Sequence, residues 1–599
     1  MMPRRLALCL PLLLLAVALP SKAQPTANEA AAFVDSAETV LSTLGERAAR
    51  AAWVQATYIT HDTQQLSARA SEQYTAAASN LAAEAARFND TDGLPYAVRR
   101  KLNFMRSGLT MPAPPDAEKT RRLTELAVGM ESTYGQGEWC PDGGSDAFAA
   151  DAECLSLGEM TKIMARSRDA DSLRAVWEGW RTVSPPMRDD YTQFARLMNE
   201  GAQNLGFDDV GAMWRSNYDM PPDEFARTMD RLWQQVRPLY EALHTYVRHR
   251  LAEQYGTDVV APGEPIPAHL LGNMWAQEWG NIYPLVKPKG SDPGYDLTER
   301  IREEDLSAIE MVEYGEGFFT SLGLQPLPQT FWERSLFEKP ADRDVVCHAS
   351  AWDVDDEDDL RIKMCIEPTA EDFQTIHHEL GHNYYQRAYN TQPPLFRGSA
   401  NDGFHEALGD AVALSVTPEY LQEVGLIDDV PPPSKDIGLL LRSALDKVAF
   451  LPFGLLVDKW RWQVFSGETS PDEYNEAWWD LREQYQGLAP PVERTEANFD
   501  PGAKYHIPAN TPYSRYFLAR ILQFQFHRSL CEEAGFDGPL HRCSVYGSEE
   551  AGDRLLAMME MGKERPWPDA LEALTGEREM GAGALLDYYA PLKAWLDQQ

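Results

Sequence analysis

Basic residues are in short supply. There are 55 Lys and Arg against 92 Asp and Glu in 599 residues, a formal net charge of −37. That deficit excludes nucleic acid as a partner, because a nucleic-acid binder needs a basic footprint. It also argues against docking on an anionic membrane, and its plain consequence is solubility. Long apolar runs are equally scarce. The notable one, Leu6–Leu19, is too short for a membrane span. Arg4 and Arg5 precede it, and Ser21-Lys22-Ala23 places small residues at a cleavage site. Residues 1–23 therefore read as a cleavable secretory signal, and the expected location is periplasmic or secreted with no membrane anchor. Internal repeats and low-complexity tracts are lacking. With 44% hydrophobic and 10% aromatic residues, the composition is globular and not disordered, collagen-like or coiled-coil.

Cysteine is sparse as well. Of seven, Cys9 leaves with the signal, and Cys140, Cys154, Cys347, Cys365, Cys531 and Cys543 remain as three close pairs without C-x-x-C spacing. This points to local disulfides in an oxidising compartment. Many connectivities are open, and sequential pairing is the simplest. Between the breaks at Pro112–Pro115, Pro288–Pro293, Pro431–Pro433 and Pro490–Pro508 the chain reads as helical. Apolar residues recur at helical spacing from about Glu29 to Phe88, and further helices are expected at Ala170–Arg181, Pro222–Tyr255 and Asp436–Phe465. Strand candidates are short: Val345–Trp352 and Arg361–Ile366. The expected class is mainly α, with a small sheet near the middle and two lobes around a cleft.

The most informative segment is Ile376-His377-His378-Glu379-Leu380-Gly381-His382. His378-Glu379-Leu380-Gly381-His382 is H-E-x-x-H. Positions i and i+4 share a helix face, so two imidazoles can grip one Zn²⁺. Glu379, next to the first imidazole, can take a proton from an attacking water. The helix is expected over Ala370–Tyr389, with Thr369 as its cap and Asp372 as a short capping-box partner. A metzincin would need Gly at 385 and His at 388, where Tyr385 and Ala388 stand. The third ligand is then a carboxylate from the helical run Phe404–Leu414. Glu406 and Asp410 lie one turn apart there. One can bind the metal while the other orients a ligand imidazole, and spacing alone does not decide which. His377 and His405 read as structural.

Together, His378–His382 and Phe404-His405-Glu406-Ala407-Leu408-Gly409-Asp410 resemble the angiotensin-converting enzyme family of zinc dipeptidyl carboxypeptidases. The likeness continues through Leu271–Gln277, Cys347–Trp352, Trp460–Trp462, Lys504–Pro508, Pro512–Phe517 and Gln523–His527. A single H-E-x-x-H matches a single-domain member. The resemblance implies one catalytic domain over residues 24–599, shaped as a helical ellipsoid of two lobes around a deep central channel. Helices within about 25–110 would form its lid. It implies Zn²⁺ on His378, His382 and Glu406, with Asp410 hydrogen-bonded behind a ligand imidazole. It also implies the pairs Cys140–Cys154, Cys347–Cys365 and Cys531–Cys543.

The same resemblance assigns roles to other residues. Glu379 is general base and then acid, Tyr516 the oxyanion donor, and His506 a support for the intermediate. His506 and His348 hold the substrate backbone, and an edge strand around Ala349 and Ala351 pairs with the extended peptide. Gln277, Lys504 and Tyr513 anchor the C-terminal carboxylate, which makes the expected substrates oligopeptides with a free C-terminus that lose a dipeptide. Chloride is a further implied ligand, at Arg181, Trp478 and Arg482 and at Tyr218 and Arg515. Four positions depart from the mammalian pattern: Glu278 after the anchor, Gln374 and Thr375 before the motif, and Arg520 in place of a Phe. Glu278 with the acidic surface leads to an expected preference for basic C-terminal side chains. Two rivals stand beside this reading: a thimet-like endo-oligopeptidase, which needs no carboxylate anchor, and a non-catalytic peptide-binding protein on a peptidase scaffold.

Overall fold

A computed structural model describes residues 25–141, 153–291 and 295–599. The expected signal at residues 1–23 lies outside the described residues. Thr26 opens the first helix, α1 (Ala27–Thr57), through a reciprocal capping box with Glu29. The helical stretch expected from Glu29 to Phe88 is two helices. It breaks at Tyr58–Thr60, where Thr60 caps α2 (His61–Ala85), and a short 3₁₀ turn then reaches Phe88. The break was hidden because it carries no Pro or Gly; a Thr hydroxyl capturing a backbone N–H ends one helix and starts the next. These helices and α3 (Tyr96–Ser107) share a small core of their own, built on Ala30, Val34, Phe88 and Leu102.

The main core is far larger and takes in most other helices. Among them α4 (Ala170–Trp180) and α5 (Pro222–Tyr255) match their expected spans to within a residue. Strand content is small. The strands β1 (Ser350–Asp353) and β2 (Leu360–Lys363) form an antiparallel hairpin in which Ala351 faces Ile362 across the ladder. Each is shorter than expected. Residues 345–349 lie outside the ladder, although Val346 donates to the Ala56 carbonyl at 2.8 Å. The other two sheets are two-residue pairings. Three disulfides join Cys140–Cys154, Cys347–Cys365 and Cys531–Cys543, the sequential pairing. The second staples the two ends of the β1–β2 hairpin together.

Four helices carry the site: α6 (Ala370–Tyr389), α7 (Asp402–Leu414), α8 (Asp436–Ser466) and α9 (Ser514–Glu533). Thr369 caps α6 by accepting from Asp372 N, as expected. The capping box does not close. The Asp372 carboxylate accepts from Glu367 N at 2.7 Å, because its side chain is one methylene shorter than Glu and meets a nearer donor. α7 is packed between α6 and α9. Its contact with α6 is backbone to backbone: a Cβ on Gly381 would sit 3.0 Å from Gly409 Cα, and one on Gly409 would sit 2.8 Å from the His378 carbonyl oxygen. A cavity of about 1630 Å³ opens beside these helices, lined among others by His348, His378, Glu379, Asp410, Asp446 and Arg520. Among the described residues no helix is long and apolar enough to cross a membrane.

Because the added methyl at Gly409 meets backbone, Gly409→Ala is expected to destabilise the protein by about 1–3 kcal/mol. It should also lower the bound-metal content. Urea unfolding and metal analysis of the purified variant measure both.

Candidate active site

The face of α6 presents His378 and His382 one turn apart, with their Nε2 atoms 3.1 Å from each other. α7 delivers Glu406, whose Oε2 lies 3.6 Å from His378 Nε2. These three side chains offer donor atoms that all lie within 4.8 Å of one another. Four ligand atoms around zinc at the usual 2.0–2.1 Å sit roughly 3.3 Å apart, so the trio fits that ion. The surroundings fit as well. Asp410 Oδ1 is 3.4 Å from His378 Nδ1, on the side of the ring away from the trio. His382 Nδ1 is 3.1 Å from His405 Nδ1, and His405 Nε2 is 3.2 Å from the Tyr389 hydroxyl. Each imidazole is thus oriented through its outer nitrogen. The sequence left the roles of the two acids open; the geometry separates them, with Glu406 among the donors and Asp410 behind one of them. Burial alone would raise the Asp410 carboxyl. Arg520 at 2.9 Å, Lys447 and His378 outweigh it and hold the group well below the carboxylate range. His377 is structural as expected: buried, with its ring nitrogens 2.8 Å from the Phe373 carbonyl and 3.1 Å from the Tyr420 hydroxyl. His405 does more than fill space, since it touches His382.

Glu379 also lines the cavity, and burial pushes its carboxyl up. His378 opposes this shift most, with His348 and Lys363 adding to the opposition, while the Glu406 charge reinforces it. Lys363 Nζ donates to the carbonyls of Val346, at 2.8 Å, and of His348. That buried ammonium fixes the segment leading into β1, a residue the sequence reading passed over. Among the described residues β1 pairs with no strand other than β2, so its other edge has no partner strand. Ala351 lies in this strand and Ala349 immediately precedes it.

The segment before α9 gathers the remaining side chains. Lys504 Nζ donates to Gln277 Oε1 at 2.5 Å and lies over the rings of Trp275 and Tyr513 at 4.4 and 5.5 Å. Burial lowers its ammonium to about 7. His506 packs edge-on against Tyr513 and Tyr516, with ring centroids 4.7 and 5.7 Å apart. Burial, then Lys504, Arg461 and Arg515, push His506 down to about 2, so it is a neutral imidazole. Burial raises the Tyr516 phenol, Arg515 opposing, and the Glu406 charge reaches it.

A sequence model of the angiotensin-converting enzyme family matches residues 24–599. The chain belongs to the angiotensin-converting enzyme family. It is similar to the angiotensin-converting enzyme of Bos taurus, 47% identical over 493 residues, which is 82% of this chain and 37% of that protein. The enzyme of Sus scrofa is 50% identical over 453 residues, 75% of this chain and 34% of the relative. That of the leech Theromyzon tessulatum is 47% identical over 451 residues, covering 75% and 73%. The chain thus spans little more than a third of the mammalian relatives it matches and about three quarters of the leech protein.

The remaining family positions fall into two different environments. Arg181 and Arg482 are buried in the main core. Arg181 gives hydrogen bonds to the carbonyls of Trp177 at 3.0 Å and Met274 at 3.1 Å, and its Nε is left without a partner. Among the described residues Arg482 Nε and Nη2 have no hydrogen-bond partner either, although the guanidinium lies over the rings of Phe453 and Trp479 at 5.2 and 5.4 Å. Burial pushes both guanidinium groups down to about 9. Trp478 is buried nearby against Phe453 and Trp460. Asp500, the carboxylate whose field both feel, is engaged with Arg494 and with Trp479 Nε1 at 2.7 Å. Arg515 is different. Its Nη2 is 3.1 Å from Asp402, a counter-ion from the start of α7 that the sequence reading did not foresee, with buried Tyr218 beside it, although its Nε too has no hydrogen-bond partner among the described residues.

A second pair escaped the sequence reading. Asp458 and Arg461, one turn apart in the C-terminal third of α8, are 1% and 0% exposed. Asp458 Oδ2 accepts from the backbone N–H groups of Tyr513 and Ser514, and Arg461 donates to the carbonyls of His506 and Thr511. They fix the whole turn between His506 and Tyr516. The signal was present: an Asp and an Arg one turn apart directly after the apolar run Val448–Val457. Asp458→Ala leaves a buried guanidinium unpaired and is expected to cost about 3–5 kcal/mol in denaturant unfolding.

Proposed function

We propose that this chain is a zinc-dependent dipeptidyl carboxypeptidase that removes C-terminal dipeptides from oligopeptides. The observation that carries the reading is the buried Lys504–Gln277 contact beside Tyr513, a carboxylate anchor set in the same cluster as His506 and Tyr516. An endo-oligopeptidase has no use for a buried ammonium of this kind. Intact Glu379 beside the donor trio argues against a non-catalytic scaffold.

His378, His382 and Glu406 would hold the zinc, which when bound supplies Lewis acidity toward a peptide carbonyl and lowers the pKa of water. The chain's own groups do the rest. Lys504, Gln277 and Tyr513 bind the terminal carboxylate. The open edge at Ala349 and Ala351, held by Lys363, pairs with the extended peptide, with His348 alongside. Glu379, raised by burial, takes the proton of the attacking water and passes it to the leaving amine. The Tyr516 hydroxyl and neutral His506 donate to the developing oxyanion, and one such donor is worth about 3–4 kcal/mol. Arg181 and Arg482, two buried cations with unpartnered N–H groups, support a bound chloride between them and Trp478. At Arg515 and Tyr218 the chain supplies its own negative charge, Asp402. The disulfides and the N-terminal sequence support export to a periplasm or the exterior, and the helices before residue 110 support a lid.

Mass spectrometry of products from a defined decapeptide tests the main reading: loss of two residues per step is expected, and loss of one would overturn it. Glu379→Gln should lower kcat about 10²–10⁴-fold. Glu406→Gln should purify without zinc, while Asp410→Asn keeps it with about 10–100-fold weaker affinity by metal titration. Lys504 ionises near 7 in the free protein. Its cationic form is the one that binds carboxylate, so kcat/KM should fall as pH rises above about 7, and Lys504→Met should abolish this alkaline limb. Sodium chloride, added to a chloride-free buffer, should raise the thermal unfolding midpoint, and Arg482→Gln should remove the effect.

A further inference from the structure

Asp410 meets His378 through one oxygen and is gripped through the other. Its Oδ1 faces His378 Nδ1 at 3.4 Å. Its Oδ2 accepts from Arg520 Nη1 at 2.9 Å and from Gln523 Nε2 at 3.0 Å. Arg520 and Gln523 are three residues apart on α9, so both reach the same oxygen from one helix face. The Gln523 amide has no freedom to turn round. It is fully buried, and its Oε1 accepts from Lys447 Nζ at 2.8 Å, an ammonium that can only donate. Arg520 is steadied too. Its guanidinium carbon lies 5.7 Å from the centre of the Phe450 ring, and its Nη2 is 3.9 Å from Asp446 Oδ2. Asp446, Lys447 and Phe450 all belong to α8. Four helices are thus joined in one chain of polar contacts, from α8 through α9 and Asp410 of α7 to His378 of α6. Arg520 is also a departure from the mammalian pattern, in which a Phe at this position has no donor to offer a carboxylate.

We propose that Arg520 is a positioning residue for the metal centre: with Gln523 it clamps Asp410 Oδ2, so that Oδ1 stays aimed at His378 Nδ1 and the other face of that imidazole stays turned toward His382 and Glu406. This rests on the zinc reading of the donor trio and deepens it. A carboxylate held by one oxygen alone swings about its last carbon–carbon bond; pinning the second oxygen stops that motion. Lys447 cannot replace the clamp. Its Nζ lies on the Oδ1 side of Asp410, at 3.8 Å, where it competes with the imidazole for the same oxygen. The planar Arg fork suits the task because it donates along fixed directions and loses little freedom when it pairs. Asp446 and Phe450 supply the support behind it. Arg520 also lines the large cavity. A role in touching peptide would show itself in KM, whereas the clamp acts on metal binding with no peptide present.

The test is zinc binding by the metal-free protein without substrate, followed by competition with a chromophoric chelator. Arg520→Met should weaken zinc about three- to tenfold, less than the roughly 10–100-fold expected when a direct partner of a ligand is lost. In an Asp410→Asn background the same substitution should change zinc affinity by less than about twofold, because the carboxylate through which it acts is gone. The visible absorption of the cobalt-substituted protein should differ between wild type and Arg520→Met, a change that lost stability alone does not produce. Gln523→Leu removes the other donor to the same oxygen. It should weaken zinc in the same direction, and it decides the matter if Arg520→Met fails to fold. Zinc affinity unmoved in these variants overturns the clamp, whether or not KM rises. So does an equal loss with and without the Asp410 carboxylate. In both cases a wild-type protein that binds one zinc leaves the zinc reading standing, while a wild type that binds none overturns both.

Discussion

The close approach of two helices at Gly381 and Gly409 is the constraint on which the site depends. His378 and His382 share a face by helical periodicity alone, but two imidazoles do not complete a metal site. The third donor has to come from another element, and α7 reaches the trio because neither glycine has a Cβ to hold the backbones apart. The same approach places Asp410 behind His378 and His405 behind His382. One backbone contact therefore sets both the donor set and the hydrogen bonds that orient it.

Around this centre the protein spends buried charge in three distinct ways. Asp458 and Arg461 neutralise each other and use their remaining hydrogen-bonding capacity to fix the turn between His506 and Tyr516. Arg181 and Arg482 are left with unpartnered donors among the described residues, the feature on which the proposed chloride site rests. Arg515 carries its counter-ion within the chain, at Asp402. A buried charge is tolerated only when paired, and the source of the partner decides whether the position is structural or open to a ligand.

Much of the fold was legible because the helices are strongly periodic and well punctuated. Pro222–Tyr255 and Ala370–Tyr389 are the expected spans, since their caps and flanking breaks are local features. The break at Tyr58–Thr60 and the short β1–β2 ladder were not legible. A Thr cap resembles any other Thr in a polar helix, and strand length is set by the partner strand.

The sequence by itself determined the H-E-x-x-H motif with its glutamate, the mainly helical class and, through a long chain of matching blocks, the family. Periodicity and residue chemistry suffice for these because each is a property of neighbours along the chain. Only the tertiary structure decided which of Glu406 and Asp410 turns toward the imidazoles, that Lys504 meets Gln277 across more than two hundred residues of sequence, and which arginines have a carboxylate partner. Those are contacts between distant segments, and their distances are set by how helices pack, which no local spacing encodes.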